Sequence, residues 1–353
     1  MYSKIYVALS ILLLVSCSRQ QKNELPDSVG KLGSLVVVSD AETHKVMNNS
    51  IEDLFLSPVP HLPNGEPYFE IVKPEAYDFS RFFFNHKSVL VLVNESNLES
   101  MQELLKPFTE KTIQKLINDT APVLMNKKDL FAKHQHVVYL FGKNRQDLNT
   151  KFLKAKQNIL NALMDFELQD QHDKMYKDTS NITKYQKQIM LAHGMTVQVP
   201  GIFQLKKVKE DVFWFQFDAI EGETPKNIGL LVHSYPYKDT SDFSYSSIIS
   251  ARDSVCKYLI AGELPGTYMG TTESEYYPPR FKTVENIKGR YAVKIRGWWT
   301  IKGLSQAGPF IRYVIHMPEK NRLFVFEGFV YKPSLNTKER DLRFIESIAK
   351  SIK

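Results

Sequence analysis

The stretch Val89-Leu90-Val91-Leu92-Val93 is an apolar run without a polar interruption, and residues 35–38 (LVVV) form a second one. Such strands are typical of the centre of a sheet that is covered on both faces. A further apolar strand is predicted over residues 137–141, and helical patterns lie between and after these strands. The alternation of strands and helices predicts an α/β layered domain, which we place at residues 34–194.

Apolar residues at helical spacing mark the helices of this region. Ser39 and Glu42 have the spacing of a capping box, which predicts the start of the first helix. A long amphipathic helix is predicted from residue 148 to residue 166, and a shorter one ends at Gly194. Four acidic residues of the long helix are interpreted as its solvent-exposed side, namely Asp165, Glu167, Asp170 and Asp173.

From Thr196 onward the hydrophobic pattern changes. In FWFQFDA, residues 213–219, phenylalanines alternate with other side chains, which is typical of a strand. This region predicts an α+β domain over residues 195–353, with a mainly antiparallel sheet and helices packed on it. Its element order loosely resembles the sandwich of photosystem-associated PsbP-like proteins. The further strands are predicted at 281–285, 290–299, 310–317 and 322–331, and the helices at 241–260 and near 342–352.

The N-terminal residues have the layout of an export signal. Lys4 precedes an apolar core that is too short to span a bilayer permanently. The core ends in LVSC, residues 14–17, which resembles a bacterial lipobox, and the alternative is an ordinary secretory signal with an incidental cysteine. We expect removal of residues 1–16, lipidation of Cys17 and a polar tether over residues 17–33.

The charge balance of the chain is mild. The formal net charge is +7, and removal of the signal leaves +6, because residues 1–16 contain one lysine and no acidic residue. Charges of both signs are interspersed, which argues against nucleic acid as a partner and favours a membrane, an envelope protein or a glycan. Lipidation consumes Cys17, so Cys256 is left without an intrachain disulfide partner, and we interpret it as a buried apolar side chain.

Several segments carry a family resemblance: PHLPNGEPYFEI from residue 60, DLFAKHQHVVYLFG from 129, RDSVCKYLIAGELPGTYMGT from 252, RYAVKIRGWWTIKG from 290 and NRLFVFEGFVYKP from 321. Together with the lipobox, they resemble an uncharacterised family of Bacteroidota envelope lipoproteins, the domain of unknown function 4837. The resemblance covers nearly the whole chain. It implies an envelope lipoprotein, and it implies no reaction.

Signatures of catalysis are weak. The chain has no Gly-x-Ser-x-Gly elbow, no phosphate-binding Gly-Lys-Ser/Thr loop and no His-Glu-x-x-His zinc helix. Ser254 and Lys257 have the Ser-x-x-Lys spacing of penicillin-interacting enzymes, but the companion motifs are absent. His134 and His136 offer two metal ligands from one strand face, without a third donor nearby. We therefore predict no catalytic residue, no metal site and no cofactor, and the sequence favours a protein without enzymatic activity.

The strand around Arg296 is the most suggestive stretch for binding. Alternation places Lys294, Arg296 and Trp298 on one face, while Trp299 turns inward and Gly297 indicates a bulge. A guanidinium beside an indole suits stacking on a sugar ring or binding of a carboxylate. The alternative is a structural ion pair, with the indole covered by another part of the fold.

Glu327 interrupts an apolar strand. A carboxylate in this position must reach solvent or pair with a cation such as Arg296 or Arg312, so we predict a candidate buried charge. The same residue enters an alternative function for the protein. An envelope hydrolase acting on glycan or peptide would use acidic residues such as Glu273, Glu275 or Glu327.

These observations favour a membrane-anchored envelope lipoprotein that acts as a binding or assembly module. Its candidate ligand contacts are Arg296, Trp298, Tyr268 and Arg252. A purely structural assembly factor is a third possibility, and it would expose a large apolar patch. Since no acidic cluster follows Cys17, we expect a protein that is lipid-anchored in the outer membrane and faces the periplasm.

Overall fold

The structure is a computed structural model of the chain. At residues 81, 82 and 280–286 it describes the backbone alone. It describes residues 24–59, 62, 65–75, 81–177, 184–272, 280–333 and 337–353.

The N-terminal domain contains a five-stranded sheet with the strand order β2-β1-β3-β5-β4. The first four strands in this order are parallel, and β4 runs antiparallel to β5. Every residue of β3 and β5 is buried, as expected for central strands with helices on both faces. The strands are β1 (Ser34–Val38), β2 (Glu70–Val72), β3 (Ser88–Asn94), β4 (Leu124–Lys128) and β5 (His136–Gly142).

Helices cover both faces of this sheet. The helices α1 and α5 pack on one face through residues such as Met47, Phe55 and Phe152. The short helices α3 and α4 pack on the other face, where Leu104 and Ile117 contact the strands. This arrangement confirms the α/β layered domain. The helices are α1 (Ala41–Phe55), α2 (Arg81–Phe84), α3 (Gln102–Leu105), α4 (Glu110–Asn118) and α5 (Arg145–Tyr176).

The start of α1 differs from the expected capping box. Asp40 is the N-cap, and its Oδ1 accepts a hydrogen bond from the Thr43 amide at 2.9 Å. The hydroxyl of Ser39 instead donates to the carbonyl of Leu92 at 3.0 Å. The prediction was one residue early because Ser39 is used to tie β1 to β3.

Residues 24–33 lie against the N-terminal domain, and we call this segment the strap. The Val29 amide donates to the Asn85 carbonyl at 2.8 Å, and the Lys133 amide donates to the Pro26 carbonyl at 2.7 Å. The expected tether over residues 17–33 is therefore too long, because its second half is part of the fold. Cys17 and residues 18–23 lie outside the described residues.

The C-terminal domain is built on an eight-stranded sheet with the path β10-β11-β12-β13-β8-β7-β6, and β9 pairs with β11. All these pairings are antiparallel. The sheet confirms the predicted α+β domain. The strands are β6 (Gln204–Lys209), β7 (Val212–Glu221), β8 (Thr224–Pro236), β9 (Tyr268–Thr271), β10 (Arg280–Ile287), β11 (Arg290–Lys302), β12 (Ala307–Met317) and β13 (Arg322–Tyr331).

Three helices belong to this region: α6 (Gln186–His193), α7 (Tyr245–Leu259) and α8 (Lys338–Ala349). The helix α7 packs on one face of the sheet, and α8 packs on the other. Gly194 ends α6 in the left-handed conformation, with φ of 81°, which is the expected glycine C-cap. None of the helices that the structure describes combines the length and the hydropathy needed to cross a lipid bilayer.

The two domains meet where α5 passes α8. Arg343 of α8 donates from Nη1 to Oε2 of Glu167 at 2.7 Å, and the Gly33 amide donates to the same carboxylate at 2.9 Å. Asp170, one turn further along α5, contacts Nζ of Lys87 at 2.7 Å. Glu167 and Asp170 are buried, so their interpretation as part of the solvent-exposed side of α5 was wrong.

Candidate functional site

The α7 face of the C-terminal sheet contains a buried charge cluster of two arginines and one glutamate. Glu327 on β13 accepts hydrogen bonds from Nε of Arg252 at 2.9 Å and from Nη1 of Arg312 at 2.7 Å. The three residues have no exposed surface. Because each carboxylate oxygen has a guanidinium partner, the buried negative charge is compensated by two positive ones.

Strand register and helical spacing bring these three side chains together. Arg312 and Glu327 are direct neighbours across the β12–β13 pair. Arg252 reaches them from α7, where it shares the buried stripe with Ile249 and Cys256. Its guanidinium lies 4.0 Å from the ring centre of Phe310, so it is stacked as well as paired. The cluster therefore fixes α7 on the sheet.

Cys256 lies one turn after Arg252 on the same buried stripe. It has no exposed surface, and burial raises the pKa of its thiol to about 12. A thiol with such a pKa stays protonated at neutral pH, and only the thiolate is a good nucleophile. Its position in the structure is that of a buried apolar side chain.

The opposite face of the sheet carries a second network, between β11 and α8. Arg296 donates from Nη1 to Oε2 of Glu339 at 3.0 Å and from Nη2 to Oε2 of Glu346 at 2.8 Å. Nζ of Lys294 donates to Oε1 of Glu346 at 2.7 Å. The guanidinium of Arg296 is thus already bound to two carboxylates of the same chain.

The electrostatics of this second network favour the charged forms of its members. Burial acts to raise the pKa of Glu346, but Arg296 and Lys294 outweigh it and lower that pKa to about 2. Burial acts to lower the pKa of Arg296, but Glu339 and Glu346 raise it overall. The ion pairs therefore persist across the neutral range and hold α8 on the sheet.

The four candidate ligand contacts do not form one surface. Arg296 and Trp298 lie on the α8 face, where Trp298 packs against the apolar core. Arg252 and Tyr268 belong to the α7 side, and Arg252 is completely buried, so it lies beneath the surface and not on it. Gly297 pairs with Phe310 in an uninterrupted register, so the predicted bulge is wrong and alternation alone sets the two faces.

A shallow, open groove lies along α7, between the helix and the ends of β9 and β11. We call it the α7 groove, and its volume is about 430 Å³. Sequence reasoning singled out Tyr268 alone for binding and missed the rest of the lining. The signal that was present is the four-residue spacing of three serines on one helix. The lining consists of Tyr245, Ser246, Ile249, Ser250, Asp253, Ser254, Lys257, Tyr268 and Lys302.

The floor of the α7 groove connects to the buried charge cluster. Asp253 accepts hydrogen bonds from the amide and the hydroxyl of Thr271 at 2.8 and 2.7 Å, and its Oδ1 lies 3.3 Å from Nη1 of Arg252. Lys302 donates from Nζ to the Thr271 carbonyl at 2.8 Å. The position of β9 beside α7 is therefore fixed by several hydrogen bonds, which preorganises the groove.

The two histidines considered as metal ligands have separate environments. His136 on β5 is buried and contacts Asn126 at 3.0 Å, and burial lowers the pKa of His136 to about 4. His134 precedes the strand with φ of 60° and contacts Asp170 at 3.1 Å. Their expected arrangement on one strand face is therefore wrong. Among the described residues, no group of three His, Cys, Asp or Glu side chains could hold a metal ion.

The chain was compared with known proteins. Residues 182–351 match the model of a family described as "Domain of unknown function (DUF4837)". Residues 28–176 match the model of a second one, "Domain of unknown function (DUF8532)". A comparison with curated proteins found no significant match.

Two solved structures are similar to part of the chain. One is the Saccharomyces cerevisiae Ran-binding protein Mog1p, with 15% identity and a TM-score of 0.31 over 46% of this chain and 91% of that one. The other is a point mutant of protein Mog1, with 14% identity and a TM-score of 0.30 over 45% of this chain and 89% of that one.

The molecule is a two-domain α/β and α+β protein in which ion-pair networks fix helices to both faces of the second sheet. Its C-terminal domain belongs to the family of the domain of unknown function 4837. The resemblance noted in the sequence is thereby confirmed for this domain. It is narrower than the nearly whole-chain extent expected, because the N-terminal domain matches a separate family model.

Proposed function

We propose that this chain is a lipid-anchored protein of the cell envelope that acts as a binding module and not as an enzyme. In this proposal Cys17 carries the lipid, the folded part faces the periplasm from the outer membrane, and the α7 groove receives the partner. The observation that supports a binding role is the lining of the groove. Its lysines and serines are exposed to solvent, whereas the arginines beneath it are paired internally.

The alternative of an envelope hydrolase finds less support. Of its candidate acids, Glu327 has no exposed surface and is held by two arginines, so it has no route to a substrate or to water. Glu273 and Glu275 lie outside the described residues. A pair of carboxylates that flanks a substrate is the requirement for glycoside hydrolysis, and Glu327 does not fit this role.

The strap supports a short connection to the membrane. Since the described part of the fold begins at Glu24, residues 18–23 alone separate Cys17 from the docked segment. Fully extended, this spacer reaches about 25 Å. The folded part would therefore stay close to the bilayer, where a binding module for envelope components is useful.

The anchor is tested by metabolic labelling of the full chain with an alkyne fatty acid. We expect label on the wild-type protein and its partition into the detergent phase, and neither for Cys17→Ser. The signal peptide is intact in both, so export serves as the internal control. An unmodified Cys17 at the mature terminus would contradict the anchor.

The binding role is tested with the purified mature protein on beads and solubilised envelope material. We expect the bound material to be lost for Tyr268→Ala with Lys257→Gln, and kept for Lys207→Gln. Lys207 is exposed on the edge strand β6, away from the groove, which makes it a matched control. Equal retention by all three proteins would overturn the role of the groove.

A further inference from the structure

The charge of the α7 groove is positive. Two lysines, Lys257 and Lys302, reach it from different elements, and both are exposed. The single acidic side chain of the lining, Asp253, is already satisfied by Thr271 and lies 3.3 Å from the buried Arg252. The carboxylate that could have neutralised the lysines is thus engaged below the surface. An anionic ligand would meet two ammonium groups without a competing acid.

Hydroxyl groups run along the same groove. Ser246, Ser250 and Ser254 are exposed and four residues apart on α7, which spaces them by about 6 Å along the helix. A serine hydroxyl both donates and accepts hydrogen bonds, as sugar hydroxyls do. This ladder suits a ligand with repeated hydroxyl groups better than one with apolar groups.

An aromatic ring closes one side of the groove. Tyr268 is half-buried, and Nζ of Lys257 lies 4.9 Å from its ring centre. An aromatic side chain with an adjacent cation offers an apolar plate and a charge in one place, and both are needed to bind a sugar that carries a carboxylate. The groove is open and shallow, which favours a chain bound along its side over a small molecule enclosed in a pocket.

We propose that the α7 groove binds an acidic glycan, with Lys257 and Lys302 contacting its carboxylates and the serines contacting its hydroxyls. This inference rests on the proposed binding function and names the class of its ligand. Tyr268 supplies the stacking surface. The buried charge cluster beneath the groove keeps α7 and β9 in register for this contact.

The inference is tested by isothermal titration of the mature chain in detergent with oligogalacturonate. The fully methyl-esterified oligomer is the matched neutral probe, because it keeps the same sugar rings without their charge. We expect at least tenfold tighter binding of the acid than of the ester. The preference should shrink with added salt, since exposed ion pairs are screened.

Variants locate the contact. We expect Lys257→Gln with Lys302→Gln to weaken binding of oligogalacturonate at least tenfold, and Lys207→Gln to leave it unchanged. Tyr268→Phe should retain binding, whereas Tyr268→Ala should lose it. Each variant is exposed or half-buried, so an unchanged melting temperature serves as the control for folding.

Two results would overturn the acidic-glycan assignment: equal affinity for acid and ester, or an equal loss in Lys207→Gln. The outcome for the proposed function is separate. If envelope material still depends on the groove while oligogalacturonate does not bind, the ligand class is wrong and the binding role stands. If neither binds through the groove, both are wrong.

Discussion

The two faces of the C-terminal sheet each hold arginine–carboxylate pairs, but they differ in their access to water. On the α7 face, Arg252, Arg312 and Glu327 have no exposed surface. On the α8 face, the side chain of Arg296 is 18% exposed and binds Glu339 and Glu346 at the edge of the helix. Strand alternation assigns a residue to a face, whereas the covering helix decides whether its charge is sealed.

Sealing changes what a mutation costs. Removal of one partner from a buried ion pair leaves a charge that neither water nor protein compensates. A partly exposed network can admit water at the same point, and the remaining Lys294 still pairs with Glu346. The faces should therefore respond to substitution with different magnitudes.

The largest effect is expected for Glu327→Ala. The substitution leaves Arg252 and Arg312 buried without their carboxylate, which should lower the free energy of unfolding by roughly 3–5 kcal/mol. Urea denaturation followed by circular dichroism measures the change. A loss of less than about 1 kcal/mol would show that the cluster is not sealed, since exposed pairs contribute in that range.

A smaller loss is expected for Arg296→Ala on the other face. The guanidinium makes two charged hydrogen bonds, and their removal should cost about 2 kcal/mol in the same denaturation experiment. Arg296→Lys is the control, because it keeps the charge and should recover part of the loss. If Arg296→Ala costs as much as Glu327→Ala, the contrast between the faces is lost.

Acid titration sharpens the comparison. The pKa of Glu346 is about 2 in the folded state, below its unfolded value near 4.3, so its stabilising contribution is present above pH 4.3 and is lost as the pH falls to about 2. At pH 7, Glu346→Gln should cost about 1.5 kcal/mol. Below pH 4.3 the wild type should approach the variant, as measured by urea midpoints. A gap that stays constant down to pH 2 would contradict the assignment of the ion pair.

The smallest effect is expected in the α7 groove. Lys257→Gln removes an exposed charge that holds no sealed partner, so the free energy of unfolding should change by less than about 0.5 kcal/mol. Thermal unfolding of the variant beside Glu327→Ala makes the comparison direct. A loss above about 1 kcal/mol would mean that Lys257 belongs to the scaffold of α7 and not to a surface available for binding.

Much of the architecture is predictable where the pattern is local. The apolar runs at residues 35–38 and 89–93 are central strands because nothing in them suits solvent. The alternation in β11 places Lys294, Arg296 and Trp298 on one face, and the structure has them there. The segment from residue 98 to residue 128 gave no prediction, since its helices are short and its edge strand is polar.

The remaining features depend on partners that are distant in sequence. Glu167 looked exposed because the spacing within α5 does not reveal that Arg343 and Gly33 come to it. The burial of Glu327 follows from its apolar flanks, and Arg312 could be named as a partner. Arg252 could not, because helical spacing alone does not fix where a helix packs on a sheet.

The strap has a mechanical consequence. Residues 24–33 run along the first domain and end at Gly33, whose amide is held by Glu167, the same side chain that grips Arg343 of the second domain. A force applied to the N-terminal end would first peel the short backbone ladder at Val29 and Lys133. Only after that would the load arrive at the seam between the domains, so the strap shields this seam from weak tugs.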